Sequence, residues 1–272
     1  MGEPATVGTG TPFVEAWVVD GVGVVRLNRP ERRNALHPDM FPAMRQVLEG
    51  FAGDDRVGCV VLTGAGAAFC SGGDVRDGRR RRPDGGEAIG SDAAALLAND
   101  ASVVIDLHEL PKVTIAAVNG PAVGAGLALA LACDLRIAAR SARLVTGWIT
   151  LGFSGDFGGS WTLTRLAGPA KALELLLDAA PLSSEEALEL RLVNRVVDDA
   201  DLWRAAMDWA STLAAGPRAA HALIKQNISD ALRLPLREAI PREAERMVQS
   251  STTDDHRRAV AAWLEARRST SR

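Results

Sequence analysis

The stretch of sequence that decides the fold is VTIAAVNGPAVGAGLALALAC, residues 113–133. Residues 113–118, which are apolar apart from Thr114, predict a strand. A glycine-rich turn follows from Asn119, and the small apolar residues 123–133 predict a closely packed helix. A strand that leads through a glycine turn into a helix indicates an α/β fold with a parallel sheet.

The chain on both sides of this unit repeats the same alternation. Apolar residues alternate around Asp20-Gly21, which predicts a β-hairpin over residues 13–28. Helical spacing is predicted over 39–51 and 93–110, and buried strands over 57–62 and 135–138. The first part of the chain is therefore predicted to be α/β.

The rest of the chain is predicted to be a helical tail. Helices are predicted over 160–167, 170–177, 183–190, 201–214, 218–232, 236–250 and 254–268, with one strand over 192–197. Ser183 and Glu186 form a capping box, and Ala215-Gly216-Pro217 is a helix stop. We divide the chain into a core, residues 1–198, and a C-terminal helical region, residues 199–272.

Composition excludes several classes of protein. The 272 residues are 47% hydrophobic and 24% charged with a net charge of -3, which disfavours binding to nucleic acid or an anionic membrane surface. No apolar run approaches the roughly 20 residues of a membrane-spanning helix. Cys59, Cys70 and Cys133 lack metal-ligand spacing, so we expect reduced, buried thiols in a cytoplasmic protein without a metal site.

Two glycine-rich segments follow predicted strands and could hold a ligand. They are AFCSGGDV, residues 68–75, and NGPAVGAG, residues 119–126. The second leads directly into a helix, so its first amides favour negative charge, although glycine could equally serve close packing there. Neither segment has the spacing of a dinucleotide-binding or Walker phosphate loop, which argues against those nucleotide sites.

Several motifs together resemble the crotonase superfamily, also called the enoyl-CoA hydratase/isomerase superfamily. They are LNRP at 27–30, NAL at 34–36, residues 69–75, AVNG at 117–120, Cys133-Asp134 and residues 158–168. The resemblance implies a spiral of ββα repeats with a C-terminal helical region that makes homotrimers or dimers of trimers. It also implies an acyl-CoA substrate, with coenzyme A arriving as part of that substrate and no tightly bound cofactor.

The resemblance further implies an oxyanion hole. Members of this family hold the enolate oxygen of a thioester with two backbone N–H groups, which here fall on Ser71 and Ala125. The remaining residues that we expect to contact the substrate are Gly72, Gly73, Asp74, Trp148 and Arg33.

The family's hydratases activate water with two glutamates, and this sequence has neither. The corresponding positions are Ala128 and Trp148, which cannot transfer a proton. Asp156 lies in GFSGDFGG, residues 152–159, where glycines and aromatic residues could shield a general base from water. From the residues alone, Asp156 could equally cap the following helix. The resemblance favours the single acid–base group of an enzyme that shifts double bonds.

The sequence is also compatible with other functions. Trp148 with Asp156 resembles the aroyl-CoA dehalogenases of the superfamily, in which the aspartate is a nucleophile, although Trp148 could simply wall the acyl pocket. A hydratase or thioester hydrolase that places water differently, and a non-catalytic acyl-CoA-binding subunit, are further alternatives. His108, on a predicted amphipathic helix, is interpreted as structural.

Several basic residues could meet the phosphates of coenzyme A. They are Arg29, Arg32, Arg33 and the run from Arg79 to Arg82. We interpret the four-arginine run, and Lys225 in the tail, as solvated surface charge.

Overall fold

The computed structural model describes residues 2–74 and 89–270 of the chain. Its strands are β1 (Ala5–Val7), β2 (Val14–Val19), β3 (Val22–Leu27), β4 (Cys59–Gly64), β5 (Val113–Val118), β6 (Ala122–Val123), β7 (Leu135–Ala139), β8 (Arg143–Val145), β9 (Leu182–Ser183) and β10 (Arg195–Val197). Its helices are α1 (Met40–Gly53), α2 (Gly90–Glu109), α3 (Ala125–Ala132), α4 (Gly159–Ala167), α5 (Pro169–Asp178), α6 (Ser184–Glu189), α7 (Leu202–Ala214), α8 (Arg218–Ala231), α9 (Leu236–Ser251) and α10 (Asp254–Thr270).

The main sheet has the strand order β1-β2-β3-β4-β5-β7-β10. The strands β1, β2 and β3 pair antiparallel, and the pairs from β3 to β10 are parallel. All six residues of both β4 and β5 are buried, as the apolar run of β4 predicts for that strand. Because β4 and β5 are neighbours and parallel, the two glycine-rich segments leave the same edge of the sheet.

A second, smaller sheet joins β6, β8 and β9. These three strands and β1 were not predicted from the sequence. Each is only two or three residues long, which is too short for a periodic pattern of apolar residues.

The α/β fold and the helical tail are confirmed. Asp20 and Gly21 have φ values of 49° and 80° at the hairpin turn, and Ser183 and Glu186 form the capping box that begins α6. Helix α7 buries Ala206, Met207 and Ala210 against the sheet, so the first helix of the C-terminal helical region belongs to the same core. The division between residues 198 and 199 stays a prediction.

Lys225 corrects one of our predictions. Its ammonium group is not solvated: the side chain is 16% exposed and pairs with Asp134 at 2.7 Å. It also donates hydrogen bonds to the carbonyl oxygens of Leu110 and Lys112 at 2.7 and 3.0 Å. The residue therefore fastens α8 to the end of α2 and to the chain between α3 and β7. Its partners are distant in the sequence, so its composition alone could not reveal this role.

The three cysteine thiols are buried and free, as predicted. Burial raises the pKa of each thiol to about 12, so all three stay protonated at neutral pH.

Candidate active site

The two glycine-rich segments meet at the carboxyl edge of the sheet. The N–H groups of Phe69 and Cys70 both donate to the carbonyl oxygen of Pro121 at 3.1 Å, and the Val123 N–H donates to the Cys70 carbonyl oxygen at 2.9 Å. The segments are therefore joined by backbone hydrogen bonds that do not depend on side-chain identity.

Two glycines make this close approach possible. A Cβ atom on Gly126 would lie 2.7 Å from the Cys70 sulfur, and one on Gly72 would lie 2.9 Å from the Val123 carbonyl oxygen. Gly72 also has a φ of 88°, which disfavours any other residue. A Cβ on Gly72 would also lie 3.7 Å from the Ala125 nitrogen, so the first segment passes directly beside the start of α3.

Ala125 offers the first hydrogen-bond donor of the site. It is the first residue of α3, where the N–H has no acceptor within the helix and lies at the positive end of the helix dipole. Among the described residues, no backbone acceptor is found for this N–H. The predicted role of Ala125 is thus compatible with its geometry.

Ser71 is less suited to the role that we predicted for it. Its N–H already donates to the Arg33 carbonyl oxygen at 3.0 Å, and its hydroxyl donates to the Arg32 carbonyl oxygen at 3.3 Å. Gly73 differs: its N–H has no backbone acceptor in the described part of the chain, and nothing lies within 4 Å of where its Cβ would be. The geometry favours Gly73, which we had predicted only as a substrate contact, over Ser71 as the second donor.

Asp156 lies on a turn with unusual backbone angles. Gly155, Phe157 and Gly158 have φ values of 107°, 50° and 70°. Phe157 accepts this conformation although it is not glycine, and its buried ring packs 5.6 Å from that of Phe41. Strain of this kind is common where a loop presents a functional side chain. Helix α4 begins at Gly159 without a side-chain cap, so the alternative interpretation of Asp156 as a helix cap is wrong.

The indole of Trp148 holds the Asp156 carboxylate. Its Nε1–H donates to Asp156 Oδ1 at 2.7 Å, and its side chain is almost fully buried. Gly159 packs against the indole so closely that a Cβ there would collide with Cη2 of the six-membered ring. A Cβ on Gly124 would be 3.7 Å from Trp148 Nε1. Since Gly124 precedes Ala125, the hydrogen bond between Trp148 and Asp156 lies beside the start of α3.

No acidic side chain occupies the two positions where the family's hydratases carry glutamates. Ala128 is fully buried within α3, and Trp148 uses its only polar atom on Asp156. The His108 ring packs edge-on against Trp161 at 5.2 Å, and burial lowers its pKa. His108 is therefore neutral at pH 7 and is held by an aromatic neighbour, as a structural histidine would be.

The remaining predicted contacts are Asp74 and the arginines that could meet the phosphates of coenzyme A. Asp74 is buried and pairs with Arg29 at 3.2 Å, and Arg29 also donates to the Ala35 carbonyl oxygen at 2.7 Å. Arg33 is exposed. The run from Arg79 to Arg82 lies outside the described residues. Arg29 is thus committed to the loop of Asp74, while Arg33 stays a predicted contact for phosphate.

Residues 2–74 and 89–270 contain neither a membrane-spanning helix nor a cluster of metal ligands. No helix in these ranges has the length and apolar content needed to cross a bilayer. No three His, Cys, Asp or Glu side chains in them lie close enough together to hold a metal ion.

The fold and the paired loops define a protein of the crotonase class, and comparison with known proteins agrees. The family model for enoyl-CoA hydratase/isomerase matches residues 18–270, so the chain belongs to this family.

Individual relatives differ in the reaction that they carry out. The chain is 38% identical to 1,2-epoxyphenylacetyl-CoA isomerase of Escherichia coli over 94% of this chain and 96% of the relative. It is 34% identical to 4-chlorobenzoyl coenzyme A dehalogenase-2 of an Arthrobacter species over 85% and 83%. A structure from Thermobifida fusca in complex with CoA is similar with a TM-score of 0.81 and 32% identity, covering 89% of this chain and 93% of that one. Because these relatives carry out different reactions, the activity of this protein has to be inferred from the residues of its own site.

Proposed function

We propose that this protein is an acyl-CoA isomerase that moves a double bond with Asp156 as its only acid–base group. The observation that carries the proposal is the hydrogen bond from Trp148 to Asp156 beside the start of α3. Trp148 fills the position of one hydratase glutamate and Ala128 fills the other, so no second carboxylate is present at those positions to place water. The relative that is an isomerase and the CoA complex support a CoA thioester as substrate.

The proposed reaction is a transfer of one proton between two carbons. The Asp156 carboxylate removes a proton from a carbon of the acyl chain, and the electron pair moves through the chain to the thioester oxygen. The N–H groups of Gly73 and Ala125 hold the resulting enolate oxygen. The Asp156 carboxylic acid then returns the proton to another carbon of the conjugated chain, which leaves the enzyme unchanged. Nothing is oxidised, reduced or hydrolysed.

Product analysis with two substrates tests this proposal. A 3-enoyl-CoA should give the conjugated 2-enoyl-CoA. A 2-enoyl-CoA should give no 3-hydroxyacyl-CoA, because Ala128 and Trp148 occupy the positions of the two glutamates that activate water in the family's hydratases. Formation of the hydroxy product at a comparable rate would show that the protein is a hydratase.

The Trp148–Asp156 contact also favours a second candidate, the hydrolytic dehalogenation of an aroyl-CoA. A fixed carboxylate could attack a ring carbon and expel halide, after which water would cleave the aryl ester. One of the relatives is a dehalogenase. Release of chloride from 4-chlorobenzoyl-CoA, with 4-hydroxybenzoyl-CoA as product, would support this candidate over isomerisation.

Replacing Trp148 by phenylalanine should lower kcat about 10- to 100-fold, since a hydrogen bond to a charged group is worth about 1.5–3 kcal/mol. The phenyl ring keeps apolar packing but cannot donate to Asp156, so the carboxylate loses its orientation. The measurement is steady-state kinetics, in which KM should change much less than kcat. Trp161→Phe is the matched control, because Trp161 is 42% exposed on α4. Equal kcat values for the two variants would contradict the role of the indole N–H.

We further propose that the protein assembles as a homotrimer or a dimer of trimers through its helical tail. Ile224, Ile228 and Leu232 lie at helical spacing along α8 and its end, and each is more than half exposed. An apolar stripe of this kind is typical of a surface that another subunit covers. Sedimentation should give a mass of about three or six chains for the protein and about one chain for Ile228→Glu. A monomeric wild type would contradict the assembly.

The free thiols favour a cytoplasmic location, where cysteines remain reduced. Apart from the CoA carried by the substrate, the proposed reaction uses no cofactor.

A further inference from the structure

Asn119 links the segment of one proposed donor to the segment of the other. It follows β5 and precedes Ala125 by six positions on the same chain segment. Its side-chain Nδ2 donates to the carbonyl oxygens of Gly66 and Ala68 at 2.9 and 3.2 Å. Its Oδ1 accepts the Gly64 N–H at 3.2 Å. Within the described residues, the Asn119 side chain therefore forms its hydrogen bonds with the end of β4 and the turn after it.

The turn that Asn119 holds leads directly to the other donor. Residues 64–68 are followed by Phe69, Cys70 and the stretch that carries Gly73. A second amide side chain, that of Asn34, reaches the same turn and donates to the Ala65 and Ala68 carbonyl oxygens at 2.9 and 2.7 Å. The Ala68 carbonyl thus receives hydrogen bonds from two separate parts of the chain.

The surroundings leave this contact little freedom to slide. A Cβ atom on Gly120 would lie 3.0 Å from the Ala68 Cα atom, so the backbone of one segment touches that of the other. The backbone hydrogen bonds of Pro121 and Val123 prevent the segments from separating. These backbone hydrogen bonds lie beyond residue 68, however, and do not fix the turn at residues 64–68. Asn34 and Asn119 restrain the turn from two sides, and of the two only Asn119 belongs to the segment that leads to Ala125.

We propose that Asn119 is a positioning residue that sets the distance between the Gly73 and Ala125 N–H groups. The inference rests on the proposed function, because it assigns those two groups to the enolate oxygen. An oxyanion hole works only when both donors aim at the place where charge develops, and a displacement near 1 Å can cost about 10²-fold in rate. A residue that acts this way affects the transition state more than substrate binding.

A purely structural role for Asn119 predicts a different result. Loss of the Asn119 hydrogen bonds at a half-buried site would then lower thermal stability, while each folded molecule would keep its normal rate. The experiment must therefore measure the polarisation of the thioester carbonyl as well as activity and stability.

The test uses Asn119→Ala and Asn119→Asp in the full chain. The aspartate variant keeps an acceptor for the Gly64 N–H but turns an oxygen towards the Gly66 and Ala68 carbonyls. Asn194→Ala is the matched control, because Asn194 Oδ1 also accepts a backbone N–H, that of Arg136 on β7 at 2.8 Å, and Asn194 belongs to neither glycine-rich segment. For each variant, kcat, KM and the unfolding temperature are measured.

The second readout is the absorbance of bound cinnamoyl-CoA, a conjugated thioester. Hydrogen bonds to its carbonyl oxygen shift the absorbance to longer wavelength, and an Asp156→Asn background prevents turnover of the probe. We expect both Asn119 variants to lower kcat about 10- to 100-fold with KM within about threefold, and to lose much of the shift. Asn194→Ala should retain both.

The outcomes separate this inference from the proposed function. A full absorbance shift and a normal kcat in both Asn119 variants would overturn the positioning role and leave the proposed function intact. A wild-type protein that binds cinnamoyl-CoA without any shift, and that fails to isomerise a 3-enoyl-CoA, would overturn the proposed function itself.

Discussion

Replacing Asp156 by asparagine is expected to lower kcat for double-bond migration about 10²- to 10⁴-fold, the usual contribution of a general acid–base group. Asparagine has nearly the same shape and keeps a carbonyl oxygen that can accept the Trp148 N–H, which in the native protein is 2.7 Å from Asp156 Oδ1. The neutral amide cannot remove a proton from carbon. The variant should therefore bind the substrate normally and fail at the chemical step.

Rates and binding are measured separately to test this expectation. Turnover of a 3-enoyl-CoA gives kcat, and calorimetry with a saturated acyl-CoA gives affinity, which should stay within about threefold. Asp178→Asn is the matched control, because Asp178 is an exposed aspartate at the end of α5. Retained turnover in Asp156→Asn would show that another group moves the proton.

The same variant separates the enzyme from a non-catalytic acyl-CoA-binding subunit. If the wild type binds acyl-CoA but has no activity with enoyl-CoA or aroyl-CoA substrates, and Asp156→Asn binds identically, the binding-subunit alternative would be supported. A large loss of kcat instead makes Asp156 a catalytic residue.

Much of the fold could be predicted because its signals are local. The buried strands β4 and β5 are mostly apolar in sequence. The hairpin turns on Asp20-Gly21, a dipeptide that favours the positive φ values found there. The capping box at Ser183 lies within four residues of sequence. Patterns of this kind need no knowledge of distant contacts. The short strands of the second sheet carry no such pattern, since pairing between distant segments alone produces them.

The candidate site could be predicted only in part, for the same physical reason. Sequence spacing could bring Trp148 and Asp156 into consideration together, but it could not show that the indole N–H points at the carboxylate. Nor could it show that Arg33 already accepts the Ser71 N–H. Which amide of a glycine-rich segment faces a cleft depends on the φ and ψ angles of each residue, and on what the neighbouring segment accepts.

The hydrogen-bond partners of Asn119 could not be predicted from the sequence either. An asparagine beside a glycine reads as a turn residue, because its side chain commonly bonds to nearby backbone. Its contacts in this fold instead reach back to residues 64–68, more than fifty positions earlier. An asparagine side chain is expected to form hydrogen bonds, but the partners of Asn119 are determined by the parallel pairing of β4 and β5.

Replacing Ala125 by proline is expected to lower kcat about 10²- to 10³-fold, the cost of removing one donor from an oxyanion hole. Backbone donors are difficult to delete, but this one lies at the first position of α3, where proline is well tolerated. Gly124, the residue before it, has φ 53° and ψ -123° and no Cβ, so it avoids the helical conformation that proline disfavours in its predecessor. The variant should fold, and its ring replaces the N–H with carbon.

The matched control is Asp254→Pro, which places proline at the first residue of the exposed helix α10. Both variants should unfold within a few degrees of the wild type, and both should bind free CoA normally, because only the thioester oxygen meets Ala125. Asp254→Pro should retain full kcat and the full absorbance shift of bound cinnamoyl-CoA, and Ala125→Pro should lose most of both. Since the proposed mechanism concentrates its negative charge on that oxygen, an Ala125→Pro variant with wild-type kcat would show that the charge is held elsewhere.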